Sequence, residues 1–303
     1  MGGDWRGRER SGDNLNIMKI IKYRKIYFSV SIILMLVSLA SLIFCGLKLG
    51  IDFTGGTLME VEFSETRLSN QEIQDKLAEI SDINIQPTGE RGVILRLREI
   101  DENTHQEILK KLGSPKEDRF ESIGPLIGDE LKSKALWAIM VALFAIIVYI
   151  AWAFRKVSQP VASWQYAIVA IIALFHDVFI TVGFFALLGH FNQIEIGLPF
   201  VAAFLTILGY SVNNSIVIFD RARENLLKTD WNNFGETIDQ SVNQSLTRCL
   251  NTSLTTLIVL SAIFFLGGES IKYFSLALIV GIIVGTYSSI FITSSLIVSW
   301  KGR

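Results

Sequence analysis

His176 and Asp177 stand side by side in the middle of the apolar run 166–189. Ionisable groups at membrane depth are costly and face a bundle interior or a water path. An imidazole beside a carboxylate can hold and pass a proton. The same pair can also be a buried brace, bonded to a neighbouring Ser or Thr, that keeps helices in register; both readings stay open. A second polar set lies in the run 198–219, as Gly209-Tyr210-Ser211-Val212-Asn213-Asn214-Ser215. Tyr210 and Asn214 share a helix face, with Ser211 and Ser215 repeating the spacing beside them. That stripe is expected to face other helices, not lipid. An amide carries no titrating proton, so for Asn214 chemistry prefers interhelical hydrogen bonding, of order 0.6 kcal/mol per bond. Asp220, Arg221 and Arg223 close this run and fit snorkelling at an interface. Arg248 opens the next run and fits either that role or an inward one. Gly281 and Gly285 read as a small-xxx-small packing face.

The sequence has no Gly-Lys-Ser/Thr phosphate loop, nucleophile elbow or metal-ligand cluster. No catalytic residue, cofactor or metal is therefore expected, and the chain is not expected to be an enzyme. Any work it does needs an energy source other than bound ATP, or a partner with an ATPase. Cys45 and Cys249 fall at predicted membrane boundaries and give no disulfide framework. No cleavable signal peptide stands out; the first span reads as an uncleaved anchor.

The elements that must position these groups are membrane helices. Hydrophobic residues make up 50% of the 303 residues, and mean hydropathy is +0.42. Six stretches reach the roughly 20 apolar residues a span requires: about 26–47, 135–154, 166–189, 198–219, 249–267 and 274–299. Lys and Arg cluster at one set of ends. They include Arg6, Arg8, Arg10, Lys19, Lys22, Arg24 and Lys25 before the first span and Arg155 and Lys156 after the second. Arg221, Arg223, Lys228 and Arg248 flank a loop at 220–248, and Lys301 and Arg303 follow the sixth span. The basic N-terminus, residues 1–25, and the C-terminus are thus both expected in the cytoplasm, and residues 48–134 outside it.

The outer segment holds 18 of the 29 acidic side chains. Thr57–Phe63 and Gly92–Arg98 alternate as half-buried strands, with Ile83–Gln86 and Asp118–Ile123 as shorter candidates. Ser69-Asn70-Gln71-Glu72 is a capping box opening a helix with Ile73, Leu77 and Ile80 on one stripe. Thr104-His105-Gln106-Glu107 reads as a second box, with His105 solvated and the helix ending at Gly113. The order β-α-β-β-α-β predicts a ferredoxin-like α+β domain between spans one and two. The fold class is an α-helical polytopic membrane protein with that domain at 48–134 and a bundle of spans two to six at 135–303.

Several motifs share one order and spacing. Asp52-Phe53-Thr54-Gly55-Gly56 follows span one, and Gly124-Pro125-x-x-Gly128-Asp129 precedes span two. His176-Asp177, Gly209-Tyr210-Ser211-Val212-Asn213, Asp220-Arg221-x-Arg223 and Ser245-Leu246-Thr247-Arg248 complete the set. Together they resemble the SecD/SecF family of protein-export subunits in the resistance-nodulation-division superfamily, and the single modest outer domain resembles its SecF branch. The resemblance implies a bacterial inner-membrane subunit that pairs with SecD, works beside the SecYEG translocon and uses the proton motive force on a translocating preprotein. It also implies Asp177, His176, Asn214 and Arg248 as proton-relay candidates. Family members usually carry Asn-Asp-Ser/Thr in span four, where this chain has Asn213-Asn214-Ser215. Proton handling is then relocated in this lineage, left to SecD's carboxylates, or removed by deliberate substitution; Asp177, tuned by Arg248 if close, could take over the titrating role. Two other functions compete: a half-transporter of a lipid or small hydrophobic molecule, and a non-conducting scaffold for SecD and SecYEG.

Overall fold

A bilayer core offers no water to a free backbone N–H or C=O, so apolar runs of this length must close their hydrogen bonds within a helix. In the computed structural model, which describes residues 18–80, 82–153, 162–228 and 233–301, six such helical stretches occur. They are α1 (Arg24–Phe44, entered by a short 3-10 turn), α5 (Pro125–Ala153), α6 (Ser163–Asn192), α7 (Leu198–Leu226), α8 (Phe234–Leu266) and α9 (Glu269–Tyr287) with its continuation α10 (Thr293–Lys301). A π-helical turn, Ser288–Ile292, joins the last two. Arg6, Arg8, Arg10, Arg155, Lys156 and Arg303 lie outside the described residues.

The helices run past the apolar stretches. α5 starts at Pro125 rather than near 135, and α8 at Phe234 rather than near 249. Much of the expected loop 220–248 is therefore helix. Hydropathy marks where lipid begins, not where backbone bonding stops, and the polar first turns of α8 bury Thr237, Ile238, Ser241 and Val242 against the bundle.

Between α1 and α5 lies a small lobe. It is entered through α2 (Ile51–Thr54) and built from β1 (Gly56–Glu62), α3 (Asn70–Lys76), β2 (Asn84–Thr88), β3 (Gly92–Leu97), α4 (Glu102–Lys111) and β4 (Lys116–Ile123). The sheet is antiparallel in the order β2-β3-β1-β4. Met59 and Val61 of β1 stand opposite Leu95 and Val93 of β3. All four are fully buried beneath Ile73, Leu77 and Ile108 from the helical layer.

Two details depart from expectation. The N-cap of α4 is Asp101, whose carboxylate accepts the Thr104 N–H at 3.0 Å, so Thr104 lies inside the first turn. Both residues are cap-formers, and the ionised acceptor wins at the positive helix end. His105 is buried, not solvated. It shares a face with Ile108 and Leu112, stacks on Phe120 at 3.9 Å and places Nε2 2.7 Å from Glu117.

Two glycines fix the lobe's entry. Gly55 (φ +71°) lies so close to Pro125 that a Cβ would sit 2.8 Å from its Cα, and Gly56 (φ +123°) lies against the Leu97 carbonyl. Only glycine takes both the left-handed backbone and the close approach. Gly128 in turn rests on the Gly55 N–H, while Gly124 faces the Glu99 carboxylate. The motifs at 52–56 and 124–128 therefore form one joint.

Candidate functional site

α6 carries His176 and Asp177 to the centre of the bundle, where Asp177 has no exposure and His176 almost none. His176 Nδ1 lies 2.9 Å from Asp177 Oδ1, and its Nε2 lies 3.0 Å from Ser31 Oγ on α1. The other carboxylate oxygen, Oδ2, accepts from Ser211 Oγ of α7 at 2.5 Å and from Ser288 Oγ of the π turn at 2.8 Å. Four elements thus converge on one acid-imidazole pair. Gly285 makes room: a Cβ there would stand 3.4 Å from Asp177 Oδ2 and 3.3 Å from Ser211 Cβ. Serine suits the surround because a hydroxyl rotates to donate or accept, so either charge state of the dyad finds partners.

The hydroxyls continue. Ser289 Oγ donates to the Ser211 carbonyl at 3.1 Å and lies 3.1 Å from Ser215 Oγ. Asn214 is buried, with Nδ2 3.5 Å from Ser253 Oγ, which meets Thr286 Oγ1 at 2.7 Å. Tyr210 donates to the Thr252 carbonyl of α8 at 2.8 Å and also meets Thr256. Ser211, Asn214 and Ser215 face neighbouring helices and Tyr210 reaches α8, as the sequence pattern predicts.

The remaining predicted residues do not join the dyad. Arg248 is exposed on α8, and the groups around Asp177 are His176, Ser211 and Ser288. Arg248 belongs to the first half of α8 and is not among the groups that contact Asp177. Gly209, Asn213 and Asp220 are exposed on α7. Arg221 pairs with Glu224 at 2.5 Å, a half-exposed surface contact. Asp52 works elsewhere: its carboxylate accepts the Leu198 N–H at 2.7 Å, capping α7 from a distant segment.

Ser31, Ser288 and Ser289 escaped sequence reasoning. Their signal is polar density inside apolar runs. The buried residues of α1 are Ser31, Ser38 and Ser41, while its large hydrophobics face outward. Helix contacts in lipid favour such small residues. The run Ser288-Ser289-Ile290-Phe291-Ile292-Thr293-Ser294-Ser295 carries the same signal.

Residues 104–303 match the family model for the C-terminal part of the protein export membrane proteins SecD and SecF, and residues 40–66 match that for the SecD/SecF GG motif. Protein translocase subunit SecF of Thermobaculum terrenum is 40% identical, with 95% of each chain covered. That of Haemophilus influenzae is 39% identical over 91% of this chain and 84% of its own. The crystal structure of Thermus thermophilus SecDF, a translocon-associated membrane protein, superposes with a TM-score of 0.82 at 34% identity. This chain covers 38% of that longer protein, with 93% of its own length matched. A dyad braced by four elements, a glycine joint at the lobe's base and these matches lead to one assignment: the chain belongs to the SecD/SecF family as a SecF-type, multi-pass protein of the bacterial inner membrane with an accessory role in Sec translocation.

Proposed function

We propose that this chain is a non-enzymatic subunit that pairs with SecD beside SecYEG and helps convert the proton motive force into movement of an exported polypeptide. The termini lie in the cytoplasm and the ferredoxin-like lobe outside it, where it meets the emerging preprotein. Lys22, Arg24, Lys25, Arg223 and Lys228 at the lobe-distal ends support this orientation.

The observation that carries the reading is the His176–Asp177 dyad, sealed mid-bundle with hydroxyls on every free side. A carboxyl held there stays neutral or is paired, and its protonation changes what Ser211 and Ser288 must do. One proton crossing 100 mV releases about 2.3 kcal/mol. That equals a typical coupling energy between sites, about 1–3 kcal/mol. The family likeness makes SecD the expected partner, and the exposed polar ridge of Gly209 and Asn213 on α7, with Arg248, Asn251, Thr252 and Thr255 on α8, supports a partner there because it is a poor surface for lipid.

The amide at Asn214 favours a second reading, a non-conducting scaffold that leaves proton handling to SecD. Asp177→Asn separates the two. Export into inverted inner-membrane vesicles is measured with and without an uncoupler. The motor reading expects the uncoupler-sensitive part of export to disappear in the variant, with its level in the membrane unchanged. Undiminished uncoupler-sensitive export sinks the motor reading and leaves the scaffold.

A further inference from the structure

The sheet face not covered by α3 and α4 looks across a cleft of about 360 Å³ at the turn between α6 and α7. The two halves of the sheet reach the same stretch of this turn, Glu195 and Ile196, through contacts that differ in kind. On one side the strands β1 and β4 are tied covalently to α2 and α5. There Gly50 N–H donates to the Ile196 carbonyl at 2.9 Å, Ile196 N–H to the Lys48 carbonyl at 2.8 Å, and Asp52 caps α7. On the other side lie β3, paired with β1, and beyond it the edge strand β2; neither has a covalent link to a span. That half of the sheet is held by side chains. Arg96 Nε of β3 stands 2.9 Å from Glu195 Oε2, both largely buried, and Gln86 Nε2 of β2 reaches the Asn192 carbonyl at 3.4 Å.

We propose that the Arg96–Glu195 ion pair is a releasable latch that holds the β3–β2 half of the sheet on the α6–α7 turn, so that breaking it lets the lobe lift about its Asp52 and Gly55–Pro125 joint and opens the cleft. The proposal stands on lobe geometry alone and not on the proton reading. Three features make the contact releasable. A buried ion pair pays desolvation close to its Coulombic gain, and both charges recover water when it opens. Burial raises the Glu195 carboxyl above its ordinary value despite the opposing effects of Arg96 and Lys48, so desolvation is the larger effect. The Nε–H is not aimed at the carboxylate, and Arg96 Nη1 donates to Gln86 Oε1 at 2.7 Å within the lobe. The guanidinium thus keeps a partner after release.

The test uses the detergent-solubilised full chain with Cys45→Ala and Cys249→Ala, and Leu58→Cys in the cleft as a probe of thiol labelling. Gln106→Cys, exposed on α4, reports lobe integrity. Glu195→Arg is expected to speed Leu58→Cys labelling at least tenfold, about 1.4 kcal/mol, and to leave Gln106→Cys labelling unchanged. The swap R96E/E195R is expected to restore the slow rate. If Glu195→Arg does not accumulate, Glu195→Ala gives the same reading without bulk. Unchanged labelling in the single variant, or fast labelling in the swap, overturns the latch.

Discussion

Gly183→Ala should separate α1 from α6 and weaken the whole bundle. A methyl built on Gly183 falls 2.5 Å from Ser38 Cα and 2.6 Å from Ser38 Oγ. Carbon atoms pack at roughly 3.5–4 Å, so one helix must retreat by about 1 Å. The obstacle is backbone, and no rotamer change relieves it. Overpacking of this kind costs about 1–3 kcal/mol. The retreat also strains the 3.0 Å bond between Ser31 and His176, which lies along the same helix pair. Gly209→Ala is the control, because nothing lies within 4 Å of a methyl there. It should be neutral or stabilising by up to about 1 kcal/mol, the helix-propensity difference. The assay is the half-life of the folded chain in detergent at fixed temperature, read by resistance to proteolysis. Adding Ser38→Gly to Gly183→Ala should restore only part of the loss, since the Ser38 Cα stays. Equal half-lives for Gly183→Ala and the parent would refute the close approach.

Two further outcomes follow from the lobe and the outer ridge. Glu72 and Asp101 are exposed caps whose carboxyls are held below their ordinary values, Glu72 by hydrogen bonds from Ser69 and Asp101 by those from Thr104. A folded-state value below the unfolded one contributes stability above the unfolded value and loses it as pH falls through the folded one. The protection of amides in α3 and α4, measured against their intrinsic exchange rate at each pH, should therefore fall as pH drops below the usual carboxylate range, and Ser69→Ala should cost α3 about 1 kcal/mol; protection insensitive to acid would contradict the caps. Arg248→Ala should leave the half-life in detergent unchanged, because the side chain is exposed, yet reduce the SecD recovered by affinity purification if the ridge meets SecD. Full recovery of SecD would remove Arg248 from that interface.

What was legible in the sequence is what depends on neighbours along the chain. Strand faces at Met59, Val61, Val93 and Leu95 follow from alternation, and the Ser69–Glu72 cap from spacing. His105 was legible too, since it keeps step with Ile108 and Leu112, but its polarity drew attention away from its face. The composition of the dyad was visible and its surroundings were not. Ser31 lies 145 residues from His176, and Ser288 lies 111 from Asp177. No local pattern places them. In lipid the usual guide also inverts: α1 turns its hydrophobics outward and buries serines, so a reading that equates apolar with inside picks the wrong face. For Arg248 the sequence left an interfacial and an inward role open, because its face follows from how α8 packs, not from its charge.

The polar contacts that matter here form two separate systems. One is the hydroxyl cluster around Asp177, in the middle of the spans; the other is the set of contacts where the lobe meets the helix ends. α7 is common to both. Its N-terminal N–H at Leu198 is held by Asp52, and further along it Ser211 holds Asp177. α7 is one continuous helix between these points, so an axial shift large enough to break the 2.5 Å Ser211 contact would also strain the 2.7 Å cap at Asp52. Gly197, where a side chain would collide with the Asp52 carboxylate, leaves that cap no slack. The lobe's base therefore cannot ignore α7, while the Arg96–Glu195 pair is the contact proposed to release. If the proposed latch opens, a rigid tie beside a breakable one would turn a small helix displacement into rotation of the lobe.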